Sequence, residues 1–207
     1  MLPASATEQS ASREWSLKFN DVTPAMRSRL RAAKPDILKI LPDMLDDFYR
    51  HIANFPETQS RFSSGTSSDR ARNAQLKHWS MILDAEFGEA YFESTRRTGT
   101  VHYRLGVSSS AYIGAYRHLT GSMVAKVIRL SPLQRLMGHD RTQLVQDLIS
   151  VAFIDMDSVM QTFIGLMEQD RQEGLRKVAA TLDLRLQPIV LKVGDSGRAL
   201  ESAAGQL

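Results

Sequence analysis

The sequence predicts an all-α fold. Three observations carry this. Apolar residues recur at steps of three and four over most of the chain. Prolines number 7 in 207 residues. No alternating apolar–polar run with paired turn residues recurs, so strands have no support. A chain of this length can bury a sizeable core.

The elements follow in order. Residues 1–14 read as a flexible N-terminus, and Met1 to Ser12 lack the basic start and apolar centre of a signal peptide. Thr23-Pro24 reads as a helix start, a hydroxyl cap followed by a proline whose missing N–H costs nothing there. That helix ends near Ala33. Pro35 opens a longer one with the stripe Ile37, Leu41, Met44, Phe48 and Ile52, kinked at Pro42. Ser63 to Ser68, with Gly65, reads as a loop. The next helix starts at Ser68 or Asp69, carries Leu76, Trp79, Met81, Ile82 and Leu83, and ends near Glu86. Gly88 separates it from a helix reaching about Tyr103. Leu105 to Ser110, with Gly106, is a connection. A further helix spans Ala111 to Leu130, closed by Ser131 and Pro132. The last long helix begins near Asp140 and carries Leu144, Leu148, Val151, Ile154 and Val159.

After about Asp170 the composition shifts. Phe163 is the last aromatic residue. Leu175, Val178, Leu182, Leu186, Ile189 and Val193 continue a narrow apolar seam that a lone helix cannot bury, so it wants a partner helix. Pro188, Gly194 and Gly197 are expected to interrupt it. The pattern stops without a cap, as expected where a chain leads into a further module. Residues 15–170 therefore read as one domain and 171–207 as a helical linker.

Several function classes lose support at once. The chain has no cysteine, so disulfides and thiolate sites are excluded, and a reducing cytoplasm is the expected compartment. A net charge of +3 with interspersed signs gives no basic face for nucleic acid. No run of about 18 apolar residues appears, so no membrane partner is expected. Gly194-Asp195-Ser196-Gly197 matches the letters around a serine-protease nucleophile but lies in a helical seam, without histidine and aspartate partners from other segments. No phosphate loop, dinucleotide fingerprint or kinase signature is present.

Five histidines remain: His51, His78, His102, His118 and His139. None pairs with another at helical spacing, which leaves a hydrolytic zinc site unsupported. One histidine suffices for a haem iron, since the porphyrin supplies four ligands. His102 lies near a helix end, before Arg104-Leu105-Gly106, where a side chain can enter the space between helices. Two readings stand on spacing: an iron ligand, or a half-buried histidine satisfied by a backbone carbonyl. Tyr49, beside the apolar stripe, is either a core tyrosine or a hydrogen-bond donor at a pocket edge.

Three segments resemble the globin-coupled sensors, the haem-globin input domains of bacterial aerotaxis transducers and related signalling proteins. They are Asp47-Phe48-Tyr49-Arg50-His51-Ile52, Val101-His102-Tyr103-Arg104-Leu105-Gly106-Val107, and Ala111-Tyr112-Ile113-Gly114-Ala115-Tyr116. The resemblance covers about Trp15 to Asp170. It implies a globin-like fold with haem b, and a dioxygen sensor, not an enzyme, that also takes carbon monoxide or nitric oxide. His102 becomes the proximal ligand and Tyr49 the distal donor. Phe48, Ala71, Ala74 and Tyr112 line the haem. Many members carry a distal threonine or serine where Ala71 and Ala74 stand here, and Gln75 is the residue placed to substitute. The tail from Gly197 to Leu207 looks like the small-residue linkers of chemotaxis proteins. A homodimer through the last two globin helices is expected, argued from Tyr112, Tyr116, Leu119 and Met123 on one and Val151, Met156, Val159, Phe163 and Met167 on the other. A haem-less globin-fold interaction module and a globin that turns over nitric oxide are the rival readings.

Overall fold

The computed structural model describes residues 6–56, 65–129 and 141–204. Among these residues the chain forms helices only: α1 (Ala6–Phe19), α2 (Pro24–Ile52), α3 (Gly65–Asp84), α4 (Glu89–Arg104), α5 (Ser109–Arg129) and α6 (Arg141–Ala204). The architecture is all-α and globin-like, with extra helical segments at both ends. Two compact units divide it, Met1–Phe163 and Ile164–Leu207. The first contains the buried core.

Thr23 caps α2 as its sequence requires. Its backbone is extended, and its hydroxyl accepts from the Met26 amide at 3.2 Å. The expected break before Pro35 is absent: α2 is one helix with Pro35 and Pro42 inside it. Energetics explain the correction. An interior proline costs about 3 kcal/mol, whereas burying a Leu, Ile, Met or Phe side chain gains about 1.5–3 kcal/mol. Met26, Leu30, Ile37, Leu41, Met44, Leu45, Phe48 and Ile52 are all buried along this helix. The stripe outweighs the two prolines.

Other boundaries shift for local reasons. α1 occupies Ala6–Phe19 and overlaps the stretch read as a flexible N-terminus, residues 1–14. α3 begins at Gly65, so the expected loop is helical over Gly65 to Ser68, and residues 63–64 lie outside the described residues. Leu130, Ser131, Pro132, His139 and Asp140 also lie outside them. α3 stops at Asp84, and Ala85 and Phe87 follow with φ of 54° and 51°. Left-handed backbone is costly for residues with a side chain. Here burial of both and hydrogen bonds from Arg27 Nη1 to the Ala85 and Glu86 carbonyls hold it. Pro188, Gly194 and Gly197 do not interrupt α6.

α2 packs against α3 and α5. Leu30, Ile37, Leu41, Met44 and Trp79 centre the main core, joined by Met123 and Leu148. Tyr112, Val159 and Phe163 form a second cluster with Tyr103, Val107 and Met156 packed on it. The residues expected to face a second copy are thus largely used internally: Tyr112, Leu119, Met123, Val151, Val159 and Phe163 are buried in the chain itself. Met167 of the expected set is exposed, and so are Ile113, Ile128, Ile149 and Phe153 of the same helices. A helix with two apolar stripes does not announce which one turns inward. One 18-residue stretch of α6 is apolar enough by length and composition to cross a membrane, and 39% of it is buried in the fold.

Candidate functional site

His102 sits in the last turn of α4, three residues before its cap. The helix closes as a Schellman motif. The Gly106 amide donates to the Tyr103 carbonyl at 2.8 Å and the Val107 amide to the His102 carbonyl at 3.0 Å. Gly106 takes φ 66°, the left-handed position that favours glycine. The Arg104-Leu105-Gly106-Val107 sequence is therefore a stop signal that pins the backbone of His102 itself.

The side chain is fixed as well. His102 Nδ1 donates to the Thr98 carbonyl one turn back, at 2.8 Å. That bond sets the tautomer and leaves the Nε2 lone pair without a hydrogen-bond partner among the described residues. Burial pushes the ring's pKa down, and the Thr98 carbonyl opposes only in part, so the neutral imidazole is favoured. Tyr112 of α5 meets the ring edge-on, with centroids 5.2 Å apart. An oriented neutral imidazole with a committed Nδ1 and an available Nε2 is the donor a haem iron takes from a protein. No cluster of three or more His, Asp or Glu that could hold a metal ion occurs among the described residues. A porphyrin, which brings four ligands of its own, fits this donor set.

Tyr49 is placed on α2 and Gln75 on α3, and the structure brings them together. The Tyr49 hydroxyl donates to Gln75 Oε1 at 3.2 Å. Burial raises the phenol's pKa, with Arg72 opposing, so Tyr49 stays protonated and remains a donor. Phe48 is buried and meets Tyr49 edge-on. Ala71 is half-buried and Ala74 exposed. The predicted residues thus form two pairs, His102 with Tyr112 and Tyr49 with Gln75.

One set of residues was not anticipated. Asp155 of α6 is 1% exposed, yet its carboxylate has three donors from three helices. His78 Nε2 of α3 donates to Oδ1 at 2.8 Å, Tyr91 of α4 to Oδ1 at 2.9 Å, and Tyr116 of α5 to Oδ2 at 2.9 Å. Ser94 Oγ completes His78 at Nδ1, 2.9 Å away. Burial first, then the Asp155 charge, pushes the pKa of Tyr91, Tyr112 and Tyr116 up. The signal was present in the sequence: Asp155 falls one helical turn from both Val151 and Val159, on the apolar stripe, where a carboxylate persists only if hydrogen-bonded.

A model of the family described as Protoglobin matches residues 9–169. The heme-based aerotactic transducer HemAT of Halobacterium salinarum is 26% identical over 191 residues, covering 84% of this chain and 38% of that protein. The chain thus spans well under half the length of this relative. Among solved structures, the globin domain of the Geobacter sulfurreducens globin-coupled sensor superposes with a TM-score of 0.64 at 14% identity, over 72% of this chain and 96% of that one. The ferric globin domain of E. coli DosC gives 0.59 at 16% identity, over 72% and 96%. At such identities these structures speak for the fold.

Proposed function

Since the chain belongs to the Protoglobin family, we propose that residues 15–170 are the haem-based dioxygen sensor of a globin-coupled sensor and that residues 171–207 link it to a signalling module, in aerotaxis or a related response. The name of the Halobacterium relative describes such a transducer. The observation that carries the reading is His102, whose Nδ1 is tied to Thr98 and whose Nε2 is available.

His102 Nε2 would hold the iron of haem b, with Tyr112 against its ring, and Phe48, Ala71 and Ala74 would lie along the porphyrin. Haem b, when bound, supplies an iron with a position open to a diatomic gas. The chain supplies the rest. The Thr98 carbonyl keeps the imidazole in one tautomer. Tyr49 offers its hydroxyl hydrogen to an acceptor that carries negative charge, and Gln75 Oε1 accepts that hydrogen bond in this structure. Dioxygen is favoured over carbon monoxide by such a donor. A gas biases signalling only by binding two states of the protein differently, and the Tyr49 bond is one source of difference. The role is sensing, without turnover, in the cytoplasm. The partner is a second copy: exposed Ile113, Ile128 and Phe153 and the tail seam from Leu175 to Val193 offer the apolar surface for a four-helix junction and a paired helix.

Absorption spectra of the purified protein with and without dioxygen test the proposal. The expected result is a sharp haem band that shifts reversibly with the gas. Protein that stays colourless after addition of haemin would return the chain to a haem-less interaction module, and steady consumption of nitric oxide would make it an enzyme.

A further inference from the structure

We infer that Asp155 is a positioning residue for His102, acting through Tyr116 and Tyr112, so that the α6 face from Asp155 to Phe163 sets how the imidazole is presented. The inference rests on the reading that His102 holds a haem iron.

Asp155 is the meeting point of α3, α4, α5 and α6, because each of the first three sends one donor to its carboxylate. A buried charge in an apolar face gains nothing over a packed hydrophobic side chain in stability alone. What it adds is direction, since each donor must reach one oxygen at one angle. Tyr116 reaches Oδ2, whereas His78 and Tyr91 share Oδ1. The Tyr116 ring therefore has a fixed orientation set by α6. That ring lies against Tyr112, with centroids 5.8 Å apart. Phe163, two turns beyond Asp155, lies against Tyr112 at the same 5.8 Å. Tyr112 is thus referenced to α6 on two sides, and it presents its ring to His102. Between the two ends, Gly99 of α4 leaves no room for a Cβ, which would stand 2.7 Å from Thr162 and 3.0 Å from the Val159 carbonyl, so the helix that bears His102 packs closely on the same face. A displacement of the His102 ring is felt by Tyr112, and one of α6 is felt by His102.

Tyr116→Phe is the cleanest test, because it removes the donor to Oδ2 and leaves the His78 and Tyr91 bonds to Oδ1 in place. Asp155→Asn is the second variant. Its amide keeps one acceptor oxygen and turns a donor toward Tyr116, which reverses that bond. Asp147→Asn is the control: Asp147 is also buried on α6, but it pairs with Arg29, at 2.6 Å and 2.9 Å, away from this chain of rings. The readout is the iron–histidine stretching band of the full chain in its ferrous, gas-free haem form, by resonance Raman. Haem content is measured alongside. Tyr116→Phe and Asp155→Asn are expected to retain haem and to move the band to lower frequency, with broadening, while Asp147→Asn leaves it in place. An unmoved band in Tyr116→Phe overturns the inference, as does an equal shift in the Asp147 control, which would report general loosening. If Asp155→Asn fails to fold, Tyr116→Phe decides alone. A wild-type chain that takes up no haem removes both this inference and the reading beneath it. A wild-type chain with a normal band and unresponsive variants removes only this one.

Discussion

Gly99 lies so close to Thr162 that a side-chain carbon added to it would stand 2.7 Å from the threonine Cβ and 3.0 Å from the Val159 carbonyl. Neither neighbour is the free end of a flexible chain, so α4 and α6 must part if the glycine is replaced. Gly99→Ala is expected to cost about 1–3 kcal/mol, the usual range for overpacking a filled contact. In a chain of this size each kcal/mol lowers the melting temperature by roughly 2–4 °C, which calorimetry or circular dichroism will read. A melting temperature at or above wild type would show that the contact yields freely.

His102→Ala should abolish or strongly reduce haem retention, measured as the ratio of haem absorbance to protein after desalting. His78 stands in the Asp155 network, so its substitution tests a different feature. His118→Ala, which touches neither His102 nor that network in the described contacts, should leave haem content unchanged. Full haem and an unaltered ferrous spectrum in His102→Ala would show that another group binds the iron.

Tyr49→Phe should keep haem and weaken dioxygen binding. Losing a donor to a charged acceptor costs about 1.5–3 kcal/mol, and about 1.4 kcal/mol is tenfold in affinity. Dioxygen affinity should therefore fall by roughly tenfold or somewhat more. Carbon monoxide, with less charge to stabilise, should lose much less. Equal losses for the two gases, measured by flash photolysis or titration, would mean that Tyr49 acts by shape.

The His51 and His118 rings stack, with centroids 3.9 Å apart and planes within 2°. Burial, then His51 and Arg117, push the His118 pKa below its usual value of 6.5, with Asp47 opposing. The unfolded chain then binds a proton at His118 more readily than the folded one. Stability is full above about 6.5, the ordinary histidine value, and declines as pH falls through it toward the lower folded value. Denaturant midpoints between neutral and mildly acidic pH should show this slope, and His118→Gln should reduce it. An unchanged slope in the variant would assign the acid sensitivity elsewhere.

The dimer is testable in the same chain. Sedimentation velocity at micromolar concentration should give a dimer. Phe153, 57% exposed on α6, becomes costly to bury when charged, so Phe153→Lys should shift the species toward monomer. A monomeric wild type would withdraw the proposed partner.

Much of the fold was legible because its causes are local. The Thr23 cap, the stripe from Ile37 to Ile52, and the glycine stop after His102 each depend on residues within a turn or two. The segments around Tyr49 and His102 could be noticed for the same reason. What the chain order hid were long-range choices. Pro35 looked like the start of a new helix, but one helix runs through it and Pro42 because a distant core rewards its stripe. α5 and α6 each carry more than one apolar face, and only packing decided that Leu119, Met123 and Val159 turn inward while Ile128 and Phe153 face out. Asp155 could be read as an acid on the apolar stripe of its helix, yet its donors lie 77, 64 and 39 residues away. A buried carboxylate must find partners, and which side chains reach it is a property of how helices cross, which no periodicity within one helix encodes.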